Sequence, residues 1–146
     1  MKIKPVILDR IKTRHTNFEV DLEINSNVTF ITGDSGTGKS AVFSFLQELS
    51  SEDGRIMCLN YIDINKDCKE IIMNAKGKLF VIDNADILLD DGVRRHIATD
   101  TDNQYIIIGR NPTGLLLSQD EIYEMESTSN GDITHFRLNR SFSSPG

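Results

Sequence analysis

Phe18, Val20, Leu22 and Ile24 alternate with Glu19, Asp21, Glu23 and Asn25. A period of two predicts a strand with one wet face. Residues 6–11 are expected to pair with it through a connection at residues 13–17. The pattern then changes to short, continuous apolar runs over residues 28–32, 56–62, 79–82 and 105–108. Such runs predict strands buried on both faces. Helical spacing appears between them. Val42, Phe45, Leu46 and Leu49 fall at i, i+3, i+4 and i+7, which predicts a helix over residues 38–49, stopped by residues 50–54. Cys68, Ile71, Ile72 and Ala75 predict a second helix over residues 66–76, with Gly77 as its C-terminal stop. Residues 91–99 carry a shorter, weaker helical pattern. Residues 121–126 and 133–139 then flank Asn130-Gly131, a hairpin signal.

Buried strands alternating with helices predict an α/β fold. Its sheet should be mostly parallel, with helices on both faces and antiparallel strands at the N- and C-terminal ends. The chain's 146 residues suit one core, so residues 1–140 read as a single domain. Residues 141–146, Ser-Phe-Ser-Ser-Pro-Gly, read as a flexible tail. No apolar run approaches a membrane span, and Met1 to Pro5 leads into no apolar signal segment, so the expected compartment is the cytoplasm. The net charge of −6 argues against broad nucleic-acid binding. Arg10, Lys12, Arg14 and His15 form a small basic cluster that reads as a solvated hairpin. Cys58 and Cys68 have no ligand spacing to each other or to histidine and read as buried small hydrophobes.

One segment carries specific chemistry. Gly33, Asp34, Ser35, Gly36, Thr37, Gly38, Lys39 and Ser40 match G-x-x-x-x-G-K-S in full, with Ala41 next in the chain. Glycines let the backbone wrap phosphate oxygens with N–H groups inward. A helix starting there adds its positive end. Lys39 supplies a charge to the β- and γ-phosphates, and Ser40 a hydroxyl to Mg²⁺. The bare pattern arises by accident in roughly one chain of this length in two hundred. Here a buried strand leads in and an amphipathic helix leads out.

Two further segments fit the same chemistry. Leu79-Phe-Val-Ile-Asp83 is an apolar strand ending in a carboxylate that can hold Mg²⁺, usually through water. Asn84 follows, where many hydrolysing ATPases carry a Glu that polarises the attacking water. Asp86 is the next carboxylate, either a displaced base or an N-cap for the following turn. Tyr105-Ile-Ile-Ile-Gly-Arg110-Asn111-Pro112 is a buried strand running into an arginine, suited either to sensing a γ-phosphate or to an ordinary solvated exit.

The set resembles the additional-strand division of P-loop NTPases, which holds the AAA, ABC and STAND ATPases. The resemblance covers roughly residues 18–111. It implies a three-layer P-loop NTPase fold, ATP and Mg²⁺ as cofactors, and Arg110 as the sensor arginine. It also implies that the Tyr105 strand lies between the Val28 and Leu79 strands. By it, Lys39, Asp83, Asp86 and Arg110 are the candidate catalytic residues. Residues 33–41 bind the nucleotide, and Ser40 and Asp83 serve the metal. The chain departs from the pattern in three ways: it has no LSGGQ-like signature, no helical lid and no Walker B Glu. The expected function is an ATP-binding protein, a slow or partner-activated ATPase acting as a nucleotide-dependent switch. A protein partner or a second copy would complete its site. The alternative is a non-catalytic nucleotide-binding or inhibitory protein. A small-molecule kinase is the third reading, and it requires the Val28 and Leu79 strands to be direct neighbours.

Overall fold

Isoleucine, valine and phenylalanine crowd the short runs that become the central strands, where β-branched and aromatic side chains pack well on a pleated surface. The computed structural model describes residues 4–14, 17–32, 39–60, 68–117 and 121–140. In chain order the strands are β1 (Arg10–Arg14), β2 (Phe18–Glu23), β3 (Val28–Thr32), β4 (Ile56–Leu59), β5 (Leu79–Ile82), β6 (Gln104–Ile108), β7 (Ile122–Asn130) and β8 (Ile133–Arg140). The helices are α1 (Lys39–Ser50), α2 (Cys68–Asn74), α3 (Ala85–Leu88) and α4 (Asp91–Thr99). One eight-stranded sheet runs in the order β1-β2-β8-β7-β3-β6-β5-β4. The pairs β1–β2 and β7–β8 are antiparallel, while β3, β6, β5 and β4 pair in parallel.

Alternation sends residues to two apolar clusters. Ile31, Val81, Ile106 and Ile108 meet Val42, Phe43 and Leu46 of α1 and, toward the other half of the sheet, Leu22, Met125 and Phe136. Phe30, Phe80, Tyr105 and Ile107 meet Ile72 of α2, Ala85 of α3, and Val93 and Ile97 of α4. The Phe45 ring of α1 also packs at a tilt against the rings of Phe18 and Phe136.

These facts correct the expected three-layer, helix-rich P-loop NTPase fold. The protein is a mixed sheet of eight strands that curls into a half-barrel, with antiparallel pairs formed by the strands at the two ends of the chain and, among the described residues, few and short helices. The helices have 12, 7, 4 and 9 residues. Part of the physical reason lies in the crossover from β5 to β6, where Leu89 takes an extended backbone and Asp90 caps a new helix, so the helical residues are divided between α3 and α4.

Element bounds moved in places. The strand expected at residues 6–11 forms later, as β1, with Ile11 opposite Leu22. Residues 7 and 8 instead bind a buried side chain. Gln104 Oε1 accepts the N–H groups of Ile7 and Leu8 at 2.9 and 2.8 Å, and its Nε2 donates to the Leu8 carbonyl at 2.8 Å. The hairpin turn also falls one residue later than Asn130-Gly131. Asn130 pairs with Ile133, which leaves Gly131 and Asp132 as the loop. Gly131 has φ 66°, which suits glycine at the first central position of a two-residue hairpin loop.

A buried polar network ties the amino ends of the parallel strands. Tyr105 donates its hydroxyl to Asp100 Oδ2 at 2.6 Å, Asn103 Nδ2 donates to the same oxygen at 2.9 Å, and the Asp102 N–H donates to Oδ1 at 2.9 Å. Asn27 Nδ2 donates to the carbonyls of Asp100 and Asn103. Burial opposes ionisation of Asp100, but these hydrogen bonds outweigh it and hold the carboxyl below its ordinary range. Burial, then the bond to Asp100, pushes the Tyr105 phenol well above its ordinary value. Among the described residues no helix is long and apolar enough to cross a membrane.

Candidate functional site

β3, β6 and β5 are neighbours and parallel, so their carboxyl ends reach one edge of the sheet. Ligands of such sheets bind beyond that edge. Ile31 lies opposite Ile108, and Ile82 opposite Ile107. Two of the segments that follow are therefore brought close together: Asp83 after β5 and Gly109-Arg110 after β6. β6 does separate β3 from β5, as the resemblance implied. The kinase reading needed β3 and β5 to pair directly, and they do not.

Gly33, Asp34, Ser35, Gly36, Thr37 and Gly38 lie outside the described residues. Lys39 and Ser40 are described only as the backbone that opens α1. Ala41 is half-buried against the core beneath α1.

Asp83 is half-buried. Its N–H donates to the Leu59 carbonyl at 2.8 Å, which fixes the backbone at the strand's end. Its Oδ1 accepts the Asn84 N–H at 2.9 Å, and its Oδ2 has no partner among the described residues. A carboxylate oxygen without a partner among the described residues suits a metal-bound water, the role the resemblance implies for it. Among the described residues no group of three His, Cys, Asp or Glu side chains is close enough to hold a metal on its own. Asn84 has φ 53° and ψ 44°, a left-handed conformation, and precedes α3 without a side-chain cap. Asparagine tolerates this region better than most residues.

Asp86 is neither a free base nor a cap. It lies inside α3, where Asn84 holds the capping position. Its Oδ2 accepts the Arg110 N–H at 2.9 Å and its Oδ1 the Asn111 N–H at 3.0 Å. Arg94 Nη2 stands 3.6 Å from Oδ1. Asp86 therefore anchors the backbone that follows β6.

Arg94 is the residue the sequence reading missed. It sits on α4 with its side chain only 6% exposed. Nε donates to the Leu89 carbonyl at 3.3 Å, and Nη1 to the carbonyls of Asn111 and Thr113 at 2.6 and 2.9 Å. A signal was present: Arg94 falls three residues before Ile97, on the apolar face of an amphipathic helix. A cation there must find partners.

Arg110 is exposed, and its guanidinium has no partner among the described residues. Gly109 before it is buried, and its N–H donates to the Ile31 carbonyl at 3.1 Å. The carboxylate of Asp83 and the arginine thus share one sheet edge, and Asp86 and Arg94 hold the backbone that carries the arginine. No protein-family model, curated protein or solved structure matches the chain.

Proposed function

We propose that this chain binds Mg·ATP at the carboxyl edge of β3, β6 and β5 and works as a nucleotide-dependent switch with slow turnover. The carrying observation is the position of β6 between β3 and β5. It puts Asp83 and Arg110 just beyond one sheet edge, where β3 also ends, and their residue types suit a bound triphosphate. The Gly33–Ser40 segment would cradle the phosphates, with Lys39 as their cation. Ser40 and Asp83 would serve Mg²⁺, which neutralises charge on the β- and γ-oxygens. Arg110, exposed on the same edge, would reach the γ-phosphate with its two-pronged guanidinium.

Slow turnover follows from Asn84. An amide orients water but accepts no proton, and Asp86 is occupied by two backbone N–H groups and Arg94. A protein partner or a second copy would supply the missing group. The same occupied Asp86 favours a second reading, a non-catalytic nucleotide-binding protein.

Calorimetry with Mg·ATP tests the binding claim. Lys39→Ala loses a charge-assisted contact, so affinity should fall about tenfold to a hundredfold. Equal binding by wild type and Lys39→Ala would end the claim. Phosphate release separates the two readings: a rate that is slow but abolished in Lys39→Ala supports the ATPase, and no release above background supports the binding protein.

A further inference from the structure

We infer that Asp86 and Arg94 together form a clamp that positions Arg110, so that preference for ATP over ADP depends on two residues that never touch nucleotide. This rests on the proposed ATP reading.

Two carboxylate oxygens on α3 hold two consecutive backbone N–H groups, those of Arg110 and Asn111. From the other side, Arg94 on α4 holds the carbonyls of Asn111 and Thr113. The loop's donors and acceptors are thus gripped at the same residue, Asn111, by groups of opposite charge. Arg94 closes the arrangement by approaching Asp86 Oδ1 at 3.6 Å. Within the loop, Asn111 Oδ1 accepts from the Thr113 N–H at 3.0 Å.

The Arg110 side chain is the part of this loop left without a partner among the described residues. A fixed backbone under a free guanidinium is the arrangement a phosphate sensor requires. Its long side chain supplies reach, and the clamp limits where that reach begins. Arg94 cannot do the sensing itself: it is buried, and carbonyls occupy its N–H groups. A lysine in its place offers one point charge and cannot span those separate acceptors.

The test titrates Mg·ATP and Mg·ADP into wild type, Arg110→Ala, Arg94→Lys and the double variant. Circular dichroism and Tm verify folding. Asp86→Asn is added in case Arg94→Lys does not fold. That variant keeps one acceptor oxygen but turns an NH₂ group toward the second backbone N–H. Arg110→Ala should lower ATP affinity by about tenfold or more and leave ADP affinity unchanged. Folded Arg94→Lys or Asp86→Asn should lose the ATP preference in the same way, and the double variant should lose no more than Arg110→Ala. Hydrogen exchange at the Arg110 and Asn111 amides should quicken in Asp86→Asn. A retained ATP preference in the folded clamp variants overturns the clamp and leaves ATP binding standing. Equal loss of ATP and ADP marks a merely structural role and also overturns it. A retained preference in Arg110→Ala leaves the clamp nothing to position and overturns it as well. Absence of ATP binding by wild type overturns the proposed function and this inference together.

Discussion

Asn84 occupies a backbone conformation that most residues avoid. Its φ of 53° brings a side chain's Cβ close to the following carbonyl oxygen. For an ordinary L-residue the left-handed region costs roughly 1–2 kcal/mol, and asparagine bears it more easily. This gives a physical reason for the amide at a position where the resemblance would expect a Glu beside the Asp proposed to serve Mg²⁺. The sharp backbone here also lets the Asn84 N–H turn back to Asp83 Oδ1. Asn84→Glu should therefore destabilise the fold by about 1 kcal/mol. That corresponds to a Tm lower by roughly 2–4 °C at this chain size. Asn84→Gly, free in this region, should leave Tm within about a degree or raise it slightly. Thermal unfolding of the two variants decides the matter. A Glu variant as stable as wild type would show that strain does not select this residue.

Single elements were legible in the sequence wherever one cause dominated. Residues 79–82 form β5 and residues 91–99 form α4 at the predicted bounds, because each is bracketed by sharp punctuation. Asp90 caps α4, accepting the Val93 N–H at 2.8 Å. α3 was missed because four residues give no period to read. β1 was misplaced because Gln104, almost a hundred residues away, holds the chain at Ile7 and Leu8. The join between β6 and α3 depends on one close approach. A Cβ built on Gly109 would stand 3.2 Å from Asp86 Oδ1, 3.3 Å from Ala85 Cβ and 3.4 Å from the Phe30 ring. Asp86 cannot swing away without releasing two backbone N–H groups. Gly109→Ala should thus cost about 1–3 kcal/mol, the range for overpacking. It should also loosen the Arg110 and Asn111 amides in hydrogen exchange. Unaltered urea midpoint and exchange would mean that the neighbours yield freely.

At the scale of the whole molecule, the placing of β6 between β3 and β5 could be read through the resemblance carried by the Gly33–Ser40 motif and Asp83. The size of the strand system could not, because pairing of β2 with β8 joins segments more than a hundred residues apart. Nor could the polar network that fastens the opposite edge of the sheet, since each member is ordinary by itself. Asp100 is its centre. Tyr105, Asn103 and the Asp102 N–H bond its carboxylate, and His96 Nε2 stands 3.5 Å from Oδ2. Asp100's folded pKa lies below its ordinary value. The ionised form is thus favoured by folding, and the resulting stability is present above the ordinary Asp range, near pH 4. It is lost as pH falls through the depressed folded pKa. Tyr105→Phe isolates one part of this. It removes the 2.6 Å hydroxyl bond and leaves the ring, which stacks on Phe80 with centroids 5.6 Å apart. Near pH 7 the variant should be less stable by roughly 1–3 kcal/mol, the cost of a buried charged group losing a donor. As pH falls below the ordinary Asp range and through the depressed folded pKa of Asp100, the gap should narrow, because the carboxyl that the hydroxyl serves loses its charge. Comparing the two proteins cancels contributions they share, His96 among them. Urea unfolding at neutral and acidic pH supplies the measurement. A gap of constant size across that range would show that the Tyr105 hydroxyl does not act through the charge on Asp100.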